Sequence, residues 1–401
     1  MNNNDFNSQE NNDQKEEIKF DDKDFRNPYT SYYANDYRKN DEEYGNPYSR
    51  QSARSSDDDF SAEFKVNEEP AYAPLLDEEK EKNNFSRIGR GYFFFSIIST
   101  AVSLIVQIIV LILNEEFYTS TLFLNLVTPL SLYVFALPVL LIFLSKCEAT
   151  PPQKRKMSFG AFMLFLITAF GFMYIGALIG NSVMDFLSDA VGYDYSNGLT
   201  SLIDEESIWI TAIFTVIVAP IGEEFVFRKL IIDRTQKYGG FISVGLSGLM
   251  FGLMHGNFYQ FFYCFALGLL LGYIYYSTGK LYITIAIHAI VNFFGSVVTS
   301  FLSPISEELV NIDPGDMEAM MTFVQENLLA VLGLLAFSLF TYAAMACGVI
   351  FPIVFRKKLK LSKGEIVIPK RKIIPIVILN SGVIAMMIFY VVEFGLNLLP
   401  I

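Results

Sequence analysis

The chain has 401 residues, of which 52% are hydrophobic and only 18% charged. Soluble proteins carry about 25% charged residues, so an ordinary soluble enzyme does not fit. The excess of 42 acidic over 30 basic residues, a net charge of −12, also argues against a nucleic-acid partner, which needs a basic footprint.

Residues 1–90 stand apart by composition. They hold 22 acids and 13 bases, with many Asn, Ser and Tyr and no helical or strand periodicity. Such a stretch has too little apolar surface to offset the entropy of ordering, so it reads as a disordered acidic cytoplasmic tail. Two Asn-Pro-Tyr triplets, Asn27–Tyr29 and Asn46–Tyr48, are the short motifs through which the tail would meet an unidentified partner. The first apolar run begins near Gly91, too late for a signal peptide.

From residue 91 to 401 the pattern is that of an all-α, polytopic membrane helix bundle. Nine apolar runs follow one another, about Gly91–Leu113, Thr121–Ser145, Gly160–Gly180, Ile208–Ile232, Phe241–Gly256, Phe258–Ser277, Leu281–Leu302, Leu328–Phe355 and Ile374–Leu396. Each approaches the ~20 residues a helix needs to cross a bilayer; the fifth is short, and a partly re-entrant course is open to it. Basic residues follow every even-numbered run: Lys146 and Lys154–Lys156, Arg234 and Lys237, Lys280, and the cluster from Arg356 to Lys372. Acids fill the alternate loops. The positive-inside rule then puts the N-terminus in the cytoplasm.

A charge at the centre of a membrane helix costs about 2.5–3.5 kcal/mol, and most runs avoid it. The fourth does not: Pro220-Ile221-Gly222-Glu223-Glu224-Phe225-Val226-Phe227-Arg228. Glu224 and Arg228, four apart, share a face and can neutralise one another. Glu223 points about 100° away and has no helical partner. Pro220 withdraws a hydrogen-bond donor, so the helix is expected to bend just before the pair. The only two histidines lie in neighbouring runs, His255 after Phe251 on the fifth, and His288 with Asn292 one turn on along the seventh. Together they predict a polar cavity inside the membrane. If all helices are straight, His255 lies closer to the outer face than Glu223, and convergence needs a displaced fifth helix.

Other solutions are missing or weak. There is no His-Glu-x-x-His, no Walker loop and no dinucleotide-binding glycine turn. Three distant cysteines, Cys147, Cys264 and Cys347, offer no disulfide framework or Cys-x-x-Cys cluster. Gly245-Leu246-Ser247-Gly248 has the form of a rhomboid-type serine motif, with His288 as a base. That reading leaves Glu223, Glu224 and Arg228 without a role, and small residues more commonly serve close helix packing, as does Gly268-x-x-x-Gly272.

The series Glu223-Glu224-x-x-x-Arg228, Phe251-x-x-x-His255, His288-x-x-x-Asn292 resembles the CPBP family of intramembrane proteases, also called Abi or type II CAAX prenyl endopeptidases. The likeness covers about residues 208–300. It implies peptide-bond hydrolysis, with Glu223 activating water, His255 holding that water or protonating the leaving nitrogen, and His288 and Asn292 donating to the oxyanion. Glu224, Arg228 and Phe251 would support them from behind. Glu223, His255 and His288 could instead ligate a single divalent metal such as zinc, and spacing alone does not decide between that and a metal-free glutamate mechanism. The expected substrate is a membrane-associated protein or peptide, and the expected location a bacterial plasma membrane. A proton-coupled transporter using the same buried groups is the alternative from another class, although no internal repeat accompanies it.

Overall fold

A computed structural model describes residues 76–193, 195 and 208–399. All nine apolar runs are helical: α1 Glu78–Leu113, α2 Thr121–Leu144, α3 Phe159–Val191, α4 Ile208–Tyr238, α5 Gly240–Met254, α6 Phe258–Thr278, α7 Leu281–Asn311, α8 Leu328–Val354, and a pair, α9 Lys370–Ile378 and α10 Ser381–Leu396, bent by 69°. The polytopic all-α bundle is therefore as expected, but the count of nine crossings is not. Among the described residues seven helices are long and apolar enough to cross alone, and the bent pair makes an eighth if it forms one span. At 15 residues, α5 reaches about 22 Å, short of the ~30 Å hydrocarbon core.

The predicted tail boundary at residue 90 also moves. Residues 1–75 lie outside the described part, but α1 starts at Glu78. Asp77 caps it by accepting from the Lys80 N–H at 3.0 Å, and Glu78, Glu79 and Glu81 sit where the helix dipole favours acids. Phe85, Ile88, Tyr92 and Phe95, spaced 3–4–3, are all buried. That stripe is what pulls the polar stretch into the bundle; overall composition hides it.

Two apolar clusters hold the bundle. One joins α1, α2, α4, α5 and α10 through side chains such as Tyr92, Leu140, Phe227, Phe251 and Met386. The other joins α3, α6, α7 and α8 through Phe165, Phe170, Leu271, Ile287 and Phe351. Between them α5 and α6 pack closely. A Cβ on Gly268 would lie 2.9 Å from the Gly248 Cα, so the small-residue faces serve backbone approach, as the packing reading expects. The three cysteines are free thiols.

Several helices widen locally to π turns: Leu130–Ala136 in α2, Ile213–Val218 and Glu224–Lys229 in α4, Phe293–Val298 in α7. Such turns re-aim side chains and gather at functional sites. In α4 they flank Pro220 and Glu223, the place where the sequence predicts a bend.

Candidate active site

The site begins with α4. Glu224 and Arg228 are both fully buried, with Nε 3.3 Å from Oε2. The other carboxylate oxygen of Glu224, Oε1, accepts from Nδ1 of His288 at 2.9 Å. An ionised carboxylate can only accept, so the proton sits on Nδ1 and the ring's Nε2 is aimed away from Glu224. It faces Glu223, whose Oε2 lies 3.7 Å off. Glu223 keeps 14% of its side chain exposed while Glu224 keeps none. Of the two adjacent acids, Glu223 is the one that can meet water.

Phe251 is the hinge of the cluster. The Arg228 guanidinium lies 4.1 Å from its ring centroid, a cation–π contact that partly compensates a buried charge. The His255 and His288 rings stand at right angles to it, at 5.0 and 5.7 Å. Both histidines therefore share one aromatic wall. His255 lies past the end of α5, and its Nδ1 is 2.8 Å from the Phe251 carbonyl. A carbonyl can only accept, so Nδ1 carries the proton and Nε2 of the neutral ring is left as a base. The expected mismatch in depth disappears because α4 and α5 form a hairpin. Glu223 and His255 each stand 15 residues from its turn at Tyr238–Gly240.

Asn292 has a structural bond that its spacing does not announce. Its Nδ2 donates to the Thr215 carbonyl at 2.9 Å. In the π register of α4 that carbonyl would be paired with the N–H of residue 220 (Ala219 N–H bonds Phe214 O just before), and Pro220 has no N–H. Asn292 thus fills a gap left by a proline on another helix with one of its two amide hydrogens, and that bond leaves the second hydrogen unused. The serine alternative fails: the Ser247 hydroxyl is buried and donates to the Phe227 carbonyl at 2.8 Å, with neither histidine hydrogen-bonded to it.

The metal alternative asks Glu223, His255 and His288 to converge on one point at bond lengths near 2 Å. Among the described residues no three His, Cys, Asp or Glu side chains are gathered closely enough to hold an ion. The trio as arranged does not fit zinc.

Tyr133 was not visible to sequence reasoning. It sits on the π turn of α2, and the phenol end of its ring occupies the space a Cβ on Gly222 would need. Gly222 beside Glu223 was the available signal, since a glycine there permits a neighbour to lie on the helix backbone.

These features define a class: a polytopic helical membrane protein that keeps an acid–imidazole cluster, screened by an aromatic wall, inside its bundle. Residues 205–294 match the family model described as Type II CAAX prenyl endopeptidase Rce1-like. The chain is also similar to the protein named "Putative membrane peptidase YdiL" of Bacillus subtilis (strain 168), at 27% identity over 172 residues, 43% of this chain and 69% of that one. No solved structure matches.

Proposed function

We propose that the chain is an intramembrane endopeptidase that hydrolyses a peptide bond of a membrane-associated protein or peptide with a water activated by Glu223. The observation that carries this reading is the division of labour between adjacent acids. Glu224 is consumed by Arg228 and by Nδ1 of His288, while Glu223 is open to water and faces Nε2 of His288.

In this reading Glu223 takes a proton as the water oxygen attacks the peptide carbonyl carbon. Nε2 of His255 accepts from the same water and helps orient it. The proton on Glu223 passes to Nε2 of His288, and the imidazolium so formed is stabilised by the buried Glu224 behind it. From there it donates to the oxyanion and then to the departing nitrogen, as the C–N bond breaks to a carboxylic acid and an amine. General acid–base steps of this kind contribute about 10²–10⁴-fold. The family likeness and the name of the Bacillus relative support the same activity. The basic loops favour a cytoplasmic N-terminus, and a bacterial plasma membrane suits the chain. Lipid is the solvent of the apolar helix surface, and the part of the tail before α1 remains a candidate docking segment for a partner.

The test is cleavage of a reporter peptide by the full chain in detergent or nanodiscs, with and without strong chelator. Activity in wild type, and its loss in both Glu223→Gln and His288→Ala with folding intact, is the expected result. Full activity in both variants overturns the mechanism; loss under chelator alone replaces it with a metal-dependent one. Proton-driven uptake without cleavage favours the transporter alternative.

A further inference from the structure

Tyr133 reaches the site from α2, a helix outside the segment that matches the family. The π turn Leu130–Ala136 begins directly after Pro129, and it brings the ring flat against the backbone of α4 at Gly222. The next residue is Glu223. The Tyr133 hydroxyl makes no hydrogen bond among the described residues. Some tyrosines elsewhere in the bundle do, Tyr92 donating to the Val226 carbonyl at 2.5 Å and Tyr275 to Asp233 at 2.8 Å, whereas the Tyr174 and Tyr273 hydroxyls make none among the described residues.

A ring needed only to cover Gly222 would serve equally well as phenylalanine. The hydroxyl that tyrosine adds stands beside Gly222, next in the chain to the acid that the proposed reaction uses. We propose that the Tyr133 hydroxyl donates a hydrogen bond to the substrate carbonyl oxygen as it becomes an oxyanion, alongside His288. This assignment rests on the endopeptidase reading and adds to it a residue from another helix. No bond to Tyr133 forms or breaks; its proton stays on the phenol throughout, and the contact strengthens only as charge gathers on the oxygen.

The test compares full-length wild type, Glu223→Gln and Tyr133→Phe in kcat, KM, thermal stability and affinity for a phosphinate peptide, which mimics the tetrahedral intermediate. Losing one oxyanion donor lowers kcat by about 10²–10³-fold. Tyr133→Phe should therefore lose about 10²-fold in kcat, with KM within a few-fold and the unfolding temperature unchanged. Its phosphinate affinity should fall roughly in step with kcat/KM, since only a transition-state contact is removed. An unchanged kcat overturns the proposal, as does equal weakening of substrate and phosphinate binding with parallel loss of stability. If Tyr133→Phe does not fold, Tyr133→Gln and Tyr133→Leu, with and without a side-chain donor, ask the same question, and equal kcat in the two overturns it. Active wild type, inactive Glu223→Gln and fully active Tyr133→Phe would sink this inference alone; an inert wild type would take the endopeptidase reading with it.

Discussion

The family-matched segment and the helices that flank it treat polar groups in opposite ways. In the flanks most of them close on one another, Tyr133 and Tyr174 excepted: Ser96 on Tyr390 at 2.7 Å, Ser86 on Ser381 at 2.9 Å, the Tyr195 hydroxyl on the Leu398 carbonyl at 2.8 Å. Within 205–294 capacity is left over. Nε2 of His288 faces Glu223 at a distance too long for a direct hydrogen bond, Nε2 of His255 is uncommitted, and the three Arg228 nitrogens have a charge partner and an aromatic face but no hydrogen bond. Buried polar groups are normally satisfied. Satisfaction fixes a fold; unsatisfied groups held in place by a satisfied frame are what chemistry can use.

The largest expected effect tests whether that surplus is catalytic. Glu223→Gln keeps the shape of the side chain and removes the base, so peptide cleavage should fall by about 10²–10⁴-fold. Stability should change little, because Glu223 has no short hydrogen bond to lose. If unfolding measurements show a large loss of stability instead, Glu223 belongs with the frame and the contrast collapses.

Glu224→Ala should do the reverse in kind. It leaves the Arg228 guanidinium charged, fully buried and unpaired, and breaking such a pair costs about 3–5 kcal/mol. Denaturant unfolding in detergent reads this directly. Replacing Arg228 with Met in the same chain should recover much of the stability and none of the activity, because His288 would still lack the carboxylate that orients it. Recovery of both would mean that Glu224 is only a counter-ion.

In the flanks, α1 and α10 meet at Gly89 and Gly382, where a Cβ on either would run into the other helix's backbone. Gly382→Leu should cost about 1–3 kcal/mol by overpacking, while kcat per folded molecule stays near wild type. Parallel thermal melts and active-site titration separate the two, and a fall in kcat among folded molecules would make this flank part of the site.

How much of this was legible beforehand follows from the range of each interaction. The Glu224–Arg228 pair, the isolation of Glu223 and the bend at Pro220 are local, set by helical spacing within one turn or two. The apolar runs are equally local, so all nine appear. The number of true crossings was not, because length against bilayer thickness separates α5 from its neighbours only once its ends are fixed. The bond from Asn292 to Thr215 was not legible because the vacancy it fills is created 72 residues earlier in the chain by Pro220. Tyr133 was invisible because nothing in α2 says which backbone it will lie on.

The smallest effect probes the boundary between the two regions. The loop that carries His255 turns through Gly256, whose φ of +67° suits glycine alone among ordinary residues. Asn257 fastens one side of the loop, donating to the His255 carbonyl at 2.7 Å and capping α6 by accepting from the Gln260 N–H at 3.0 Å. The other side is fastened from outside the matched segment. Asn397, at the end of α10, donates to the Gly256 carbonyl at 3.0 Å, and Phe394 packs edge-on against Phe258 and Phe261 at 4.8 and 5.8 Å. Asn397→Ala removes one half-buried hydrogen bond, worth about 0.5–1.5 kcal/mol, and leaves the aromatic contacts intact. Stability should fall by about that amount. Because the loop then wanders while His255 itself is unchanged, kcat should drop only severalfold and KM should hold. His255→Ala measured alongside sets the scale: if Asn397→Ala loses as much activity, the last helix is an equal member of the catalytic apparatus, and the line between a reactive segment and an inert frame has been drawn in the wrong place.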